Sequence, residues 1–380
     1  MTPSSHHPPG ITKGIMRNLA ILAFISLFLG IAAAADQPEV IRIGFASAGV
    51  GGRQFTTSSA LASVKAKGLL EEEFKADGIR IEWVFHRGAG PAVNEALAGG
   101  LLDFTNQGDF PSILGRSSGL ATHIILATGV RANTYLAVPT ESTATSLKDL
   151  LGKRVAYHRG TNATLGIAKI LQSQGYTDAD FQTINLDGLD ASVAIANHEV
   201  DAIWGSSLTL YDLLTRKIVR IIDSTRDKDP RLTLQAHLLV TEDFEKKYPA
   251  IVQRVVDVVV KEAAWEADEA HRDEVFKLWA LSGYPVEAIA WEYQGVPLRD
   301  RVSPLLDGFF VERYRDGVAT SLALKLIRTG FDVDPWLEPK YVESAVARFH
   351  LAGTWPEYDA AGKPHESATT AATAPATAKP

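Results

Sequence analysis

The chain reads as an α/β protein of two similar halves, each built on a mainly parallel sheet, followed by a helical C-terminal third. Three observations predict this. Short β-branched or alternating runs recur between helical patterns from Val40 onward, the signature of parallel strands joined by helices. A second series of the same kind begins near Ser146. After Glu242 the strand signals cease and helical periodicity takes over.

The elements follow in order. VIRIGFA (40–46) is a β-branched strand ending in a glycine-rich loop, 47–53. A helix is expected over 57–74, with Leu61, Val64, Leu69 and Leu70 on its apolar side. IRIEWVF (79–85) alternates and predicts a strand. The stretch 88–112 reads as a turn, a helix over 92–101, a strand over 102–105, and a helix opening at Gly108-Asp109-Phe110-Pro111. Strands are expected at 123–128 and 135–138. The second series runs through a helical turn at 147–151, a strand at 154–157, a helix at 163–174, a strand at 181–185, a helix at 189–197 and a strand at 202–204. Strands at 218–222 and 236–240 follow, the latter leading back to the first half, and helices then cover 248–280 and 285–327. The Ala/Thr/Pro segment 360–380 has too few bulky apolar residues to order itself.

Composition removes several classes of function. With no cysteine there is no disulfide framework, thiolate metal site or cysteine nucleophile. The 10 histidines are scattered without paired metal-ligand spacing, so neither a metal nor a cofactor is expected. A formal charge of -7 carries no nucleic-acid footprint. Lys13 and Arg17 precede an apolar run, 19–31, and Ala33-Ala34-Ala35 then offers a small-residue cleavage site. Residues 1–35 therefore read as a cleavable signal peptide, with Met16 an alternative start. The apolar run falls short of the roughly 20 residues a membrane span needs.

An ordered set of short matches then carries a family resemblance. IRIGFA (41–46), AKGLLEEEF (66–74), EALAGGLLDF (95–104), QGDFPS (107–112), SLKDLLGKRVAYHRGTNA (146–163) and EVDAIW (199–204) resemble the solute-binding proteins of ABC importers for aliphatic sulfonates, taurine and nitrate. The resemblance implies a two-lobed periplasmic-binding-protein fold of type II, with ligand in a cleft between the lobes. It divides the chain into a first part of lobe 1 (36–133), lobe 2 (134–234) and a return to lobe 1 with C-terminal helices (235–359). It further implies a monomeric, non-enzymatic periplasmic protein that takes a small anion to a membrane permease and its ATPase.

A sulfonate is a permanent anion with three acceptor oxygens, so its site needs several donors, which helix N-termini and small hydroxyls supply. Three turns fit. The first ends at Gln54, Phe55 and Thr56; the second holds Gln107, Asp109 and Phe110; the third holds Thr161, Asn162 and Ala163. At Asp109 a helix cap is the alternative to a ligand contact, because a carboxylate repels a sulfonate. Trp204 is expected to wall the pocket or fill the core, with Ser206 beside it. Where many members of the family have Trp-Asp-Pro, this chain has Trp204-Gly205-Ser206, which removes an acidic partner for an amine and favours a plain sulfonate, arylsulfonate or sulfate ester over taurine. Two other readings remain open: an enzyme of the pyrimidine-precursor-synthase type on the same scaffold, and an exported sensory binding protein.

Overall fold

A computed structural model describes residues 37–365 together with Met1, Thr2 and Ser4, so nearly all of the leader and residues 366–380 of the tail lie outside the described residues. The first sheet is built from β1 (Val40–Phe45), β2 (Arg80–Phe85), β3 (Phe104–Gly108) and β4 (Thr122–Ala132). The second holds β5 (Tyr135–Pro139), β6 (Arg154–Tyr157), β7 (Gln182–Asn185), β8 (Ala202–Gly205) and β9 (Val219–Ser224), before β10 (Leu234–Thr241) crosses back to the first. The five-stranded orders are β2-β1-β3-β10-β4 and β7-β6-β8-β5-β9. They are the same pattern. Three parallel strands meet one antiparallel strand in each, β10 in the first and β5 in the second.

Helices fill the connections. In the first half these are α1 (Ala60–Lys67), α2 (Leu69–Phe74), α3 (Ala89–Ala98) and α4 (Asp109–Ser117). The second half has α5 (Asn162–Ser173), α6 (Gly188–Ala196) and α7 (Ser207–Thr215). The C-terminal set comprises α8 (Glu242–Lys247), α9 (Pro249–Ala267), α10 (Arg272–Trp279), α11 (Val286–Glu292), α12 (Gly308–Ala323) and α13 (Lys340–Arg348). The helix expected over 57–74 is two helices, because Gly68 takes a left-handed φ of 65° and ends the first with its N–H on the Val64 and Lys65 carbonyls. Residues 360–365, read as part of the tail, turn back on α12: Gly362 lies against the Phe309 ring, and His365 N donates to the Glu357 carbonyl at 2.9 Å.

Each sheet has its own core. Ile41, Ile43 and Phe45 alternate into one cluster with α1, α9 and α10, while Leu136, Val138, Val155, Tyr157 and Trp204 gather in another. One ion pair is duplicated between the halves. Arg42 on β1 donates from its backbone N (2.8 Å) and guanidinium (2.7 Å) to Asp103, which precedes β3. Arg154 on β6 does the same to Asp201 before β8, at 2.9 and 3.0 Å. Both clamps sit near the strands' N-terminal ends.

Two crossings join the sheets, through residues 133–134 and 225–233. They are tied together: Thr225 N donates to the Thr134 carbonyl at 3.0 Å and Thr134 N to Thr225 Oγ1 at 3.1 Å. Among the described residues no helix is long and apolar enough to cross a membrane.

Candidate binding cleft

Parallel sheets bind ligands beyond the C-terminal ends of their strands, where helix N-termini point inward. Here β1, β3, β6 and β8 all end at a cavity of about 410 Å³. The first half contributes Ser47, the hydroxyl run Thr56-Thr57-Ser58-Ser59, Asn106, Gln107 and Thr128; the second contributes His158, Thr161, Asn162 and Ser206. Hydroxyls and amides dominate this wall, and it carries no Lys, Arg, Asp or Glu.

Local structure explains how these donors are aimed. Ser59 caps α1, accepting from Leu61 N at 3.1 Å, and Ser58 before it adopts φ 57°, a left-handed conformation uncommon for a residue with a Cβ. Thr161 caps α5 and Ser206 caps α7. Gly108 caps α4 with no side-chain acceptor of its own. Thr57 Oγ1 and Gln107 Oε1 are buried at the cavity wall and make no hydrogen bond within the protein. Four helix N-termini from both halves, flanked by small hydroxyls, thus converge on one space. Such an arrangement holds an anion without a formal positive charge.

The halves touch closely around the cavity. A Cβ on Gly108 would lie 2.7 Å from Asn162 Cβ, and one on Gly160 would lie 3.0 Å from Pro91 Cγ. Gly90, at the start of α3, leaves room for Pro111 of α4, whose Cβ would be 2.3 Å from an added one.

Of the residues named from sequence, Thr56, Gln107, Thr161, Asn162 and Ser206 meet at the cavity. The others do not line it. Gln54 is exposed and turns its amide back to the Gly52 carbonyl at 3.1 Å, while Phe55 packs on the first core. Asp109 is buried on the far side of its turn, where its carboxylate accepts from Phe110 N at 2.7 Å and from Gln235 N at 3.3 Å. It is the first helical residue rather than the cap, because β3 runs extended through Gly108. Burial pushes its carboxyl up to about 6, with the Lys169 ammonium opposing. Phe110 enters a core cluster against Tyr314, with ring centroids 4.6 Å from Phe310 to Tyr314 within it. Ala163 packs on the second core, and its N–H is taken by Thr161 Oγ1 at 3.3 Å. Trp204 is core as well: strand alternation turns it into the second sheet's cluster, and Ser206 reaches the cavity instead.

Sequence reading missed Asn106, Thr128, His158 and most of the hydroxyl run. The run had a usable signal, four consecutive Thr/Ser residues before an apolar helical stretch. Thr128 and Asn106 had none; they meet across the sheet, Thr128 Oγ1 donating to Asn106 Oδ1 at 2.6 Å. The described residues do bring His123, Glu245 and Glu338 together, but the Lys340 ammonium already lies 3.0 Å from Glu245 and 2.5 Å from Glu338.

Comparison with known proteins decides the lineage. Residues 71–272 match the family model described as "NMT1/THI5 like". The chain belongs to the NMT1/THI5-like family. A Bacillus subtilis (strain 168) relative named "Putative aliphatic sulfonates-binding protein" is 30% identical over 275 residues, 70% of this chain and 77% of the relative. The crystal structure of a periplasmic sulfonate-binding protein, SsuA, from Methylobacillus flagellatus KT matches with TM-score 0.74 at 33% identity, covering 85% of this chain and 98% of that one. The two-lobed fold is therefore that of periplasmic binding proteins. It also carries catalysis elsewhere: the desulfurization enzyme DSZB matches with TM-score 0.63 at 16% identity, over 82% of this chain and 99% of that one, a likeness of fold alone.

Proposed function

We propose that this chain is the periplasmic capture protein of an ABC importer and binds an organic sulfonate or similar oxyanion. The single observation that carries the reading is the cavity of about 410 Å³ walled by neutral donors and helix N-termini from both sheets. That donor set suits an oxyanion that cannot be neutralised by protonation. The names of the relatives in Bacillus subtilis and Methylobacillus flagellatus support the ligand class. Ligand touching both halves favours the closed arrangement, and no covalent chemistry is required. The chain has no cysteine to act as a nucleophile, which supports capture over catalysis.

In this reading residues 1–35 direct export, 36–133 and 235–359 form lobe 1, and 134–234 form lobe 2. The monomer delivers its anion to a permease and ATPase in the inner membrane. Thr56, Gln107, Thr161, Asn162 and Ser206 are assigned to the anion.

A thermal-shift screen with alkane- and arylsulfonates, sulfate esters, taurine, nitrate and dicarboxylates tests it. A true ligand at a hundred times its Kd should add about 2.7 kcal/mol of stability. Asn162→Leu should abolish the shift. A screen in which dicarboxylates stabilise and no sulfur oxyanion does would overturn the assignment.

A further inference from the structure

The main cavity has two extensions of opposite character. One leads outward, sharing Ala46, Ser47, Ala89 and His158 with the main cavity, and measures about 310 Å³. Its mouth is bounded by Arg87 and Asp187, one from each half, 3.6 Å apart, with the arginine largely exposed. The other leads inward to the crossings, sharing Ser58, Gly129, Asn162, Ser206 and Ala236, and measures about 170 Å³.

The inner recess has apolar walls and a closed polar end. Val130, Leu208, Leu234 and Tyr293 supply most of that surface, with Ser207 and Gln235 as polar breaks in it. At its end Glu292 Oε1 accepts from Asn133 N (3.2 Å), Asn133 Nδ2 (3.0 Å) and Arg301 (3.0 Å), and Oε2 accepts from Tyr135 OH (2.8 Å). The Arg301 guanidinium in turn donates to the Val130 carbonyl at 2.9 Å and lies 5.0 Å from the Tyr293 ring centre. The pair is neutral as a unit and largely engaged. A second ionised group placed beside it would be buried without a counter-charge, which is strongly unfavourable. A cavity of about 150 Å³ with apolar walls accepts benzene, so a recess of this size admits a six-membered ring.

Resting on the sulfonate reading above, we propose that the hinge-side recess receives the ligand's substituent and selects a compact, uncharged group of phenyl size. Leu208, at the start of α7, is the specificity-determining residue. The outward extension, bordered by the exposed Arg87 and by Asp187, takes the substituents the recess refuses and discriminates little among them.

Titration calorimetry on the purified protein tests this with methanesulfonate, benzenesulfonate, naphthalenesulfonate and taurine, on the wild type, Leu208→Trp and Leu208→Ala. Wild type should bind benzenesulfonate at least about tenfold more tightly than methanesulfonate or taurine, from the apolar surface the ring buries. Leu208→Trp should weaken benzenesulfonate about tenfold or more and leave methanesulfonate within twofold, since a methyl group does not reach the recess. Leu208→Ala should move the preference toward naphthalenesulfonate, which keeps the proposal testable if the tryptophan variant does not fold. Equal losses for both sulfonates in Leu208→Trp, unchanged benzenesulfonate binding, or taurine binding as tightly as benzenesulfonate would each overturn the recess assignment while leaving the sulfonate reading intact. Failure of every sulfonate to bind wild type would overturn both.

Discussion

Gly108 carries a close approach between the halves at the cavity, and its φ of -81° and ψ of 173° are open to any residue. Gly108→Ala therefore tests contact without backbone strain. The new Cβ would stand 2.7 Å from Asn162 Cβ, so the halves must part slightly to admit it. Ligand affinity should fall about tenfold or more, while the thermal midpoint without ligand moves by only a few degrees, on the order of what a small surface change does. Calorimetry for the affinity and a thermal melt without ligand read the two effects on Gly108→Ala separately. At this scale the sequence was partly legible. Thr161 and Asn162 were readable because caps and anion sites use the same residue types. Asp109 misled for the same reason: an acid at a helix start signals the terminus but not which side of the turn it faces, and that depends on where β10 runs. Thr128 was invisible, since its partner Asn106 lies on a strand two places away in the sheet order.

At the scale of elements, the alternation of strands and helices was legible because buried parallel strands and amphipathic helices have different periods. Boundaries depended on single residues, as at Gly68. Helix α7 was overlooked because Gly205-Ser206-Ser207 reads as loop, although Ser206 is its cap and Leu210 and Leu213 are its buried face. Helix α9 carries an element-level consequence. Its Glu266 is fully buried, accepting from Ser63 Oγ at 2.5 Å and Trp279 Nε1 at 3.1 Å, and burial pushes the carboxyl up to about 8, with the nearby Glu262 adding to the shift and Ser63, Trp279 and Lys67 opposing it. The folded form thus holds a proton that the unfolded chain releases near 4.5. That contribution is complete below the unfolded value and is lost as pH rises toward 8, at about 1 kcal/mol per pH unit. Urea denaturation at pH 6, 7 and 8 should show wild type weakening with pH, and Glu266→Gln should show a flatter profile. A variant as pH-sensitive as wild type would place the titration elsewhere.

At the scale of the molecule, two sheets of one pattern are joined at crossings that Glu292 and Arg301 fasten from outside. Breaking a buried pair strands one charge, so Arg301→Met should lower unfolding stability by about 3–5 kcal/mol, measured by urea melts, with Glu292→Gln/Arg301→Met together less damaging than the single change. The twofold architecture was visible in the repeated order of elements. The return of β10 to the first half was expected too; its antiparallel seat beside β3, and that of β5 beside β8, was not, because strand order follows from long-range pairing rather than local pattern. The duplicated Arg42–Asp103 and Arg154–Asp201 clamps have a further meaning for redesign. They fasten each strand set at the end remote from the cavity, while the residues assigned to recognition sit on strand ends, loops and helix starts at the other end. Rim segments are thus free to be exchanged, for a biosensor or for a new anion, on two bases that remain bolted independently of what the rim has become.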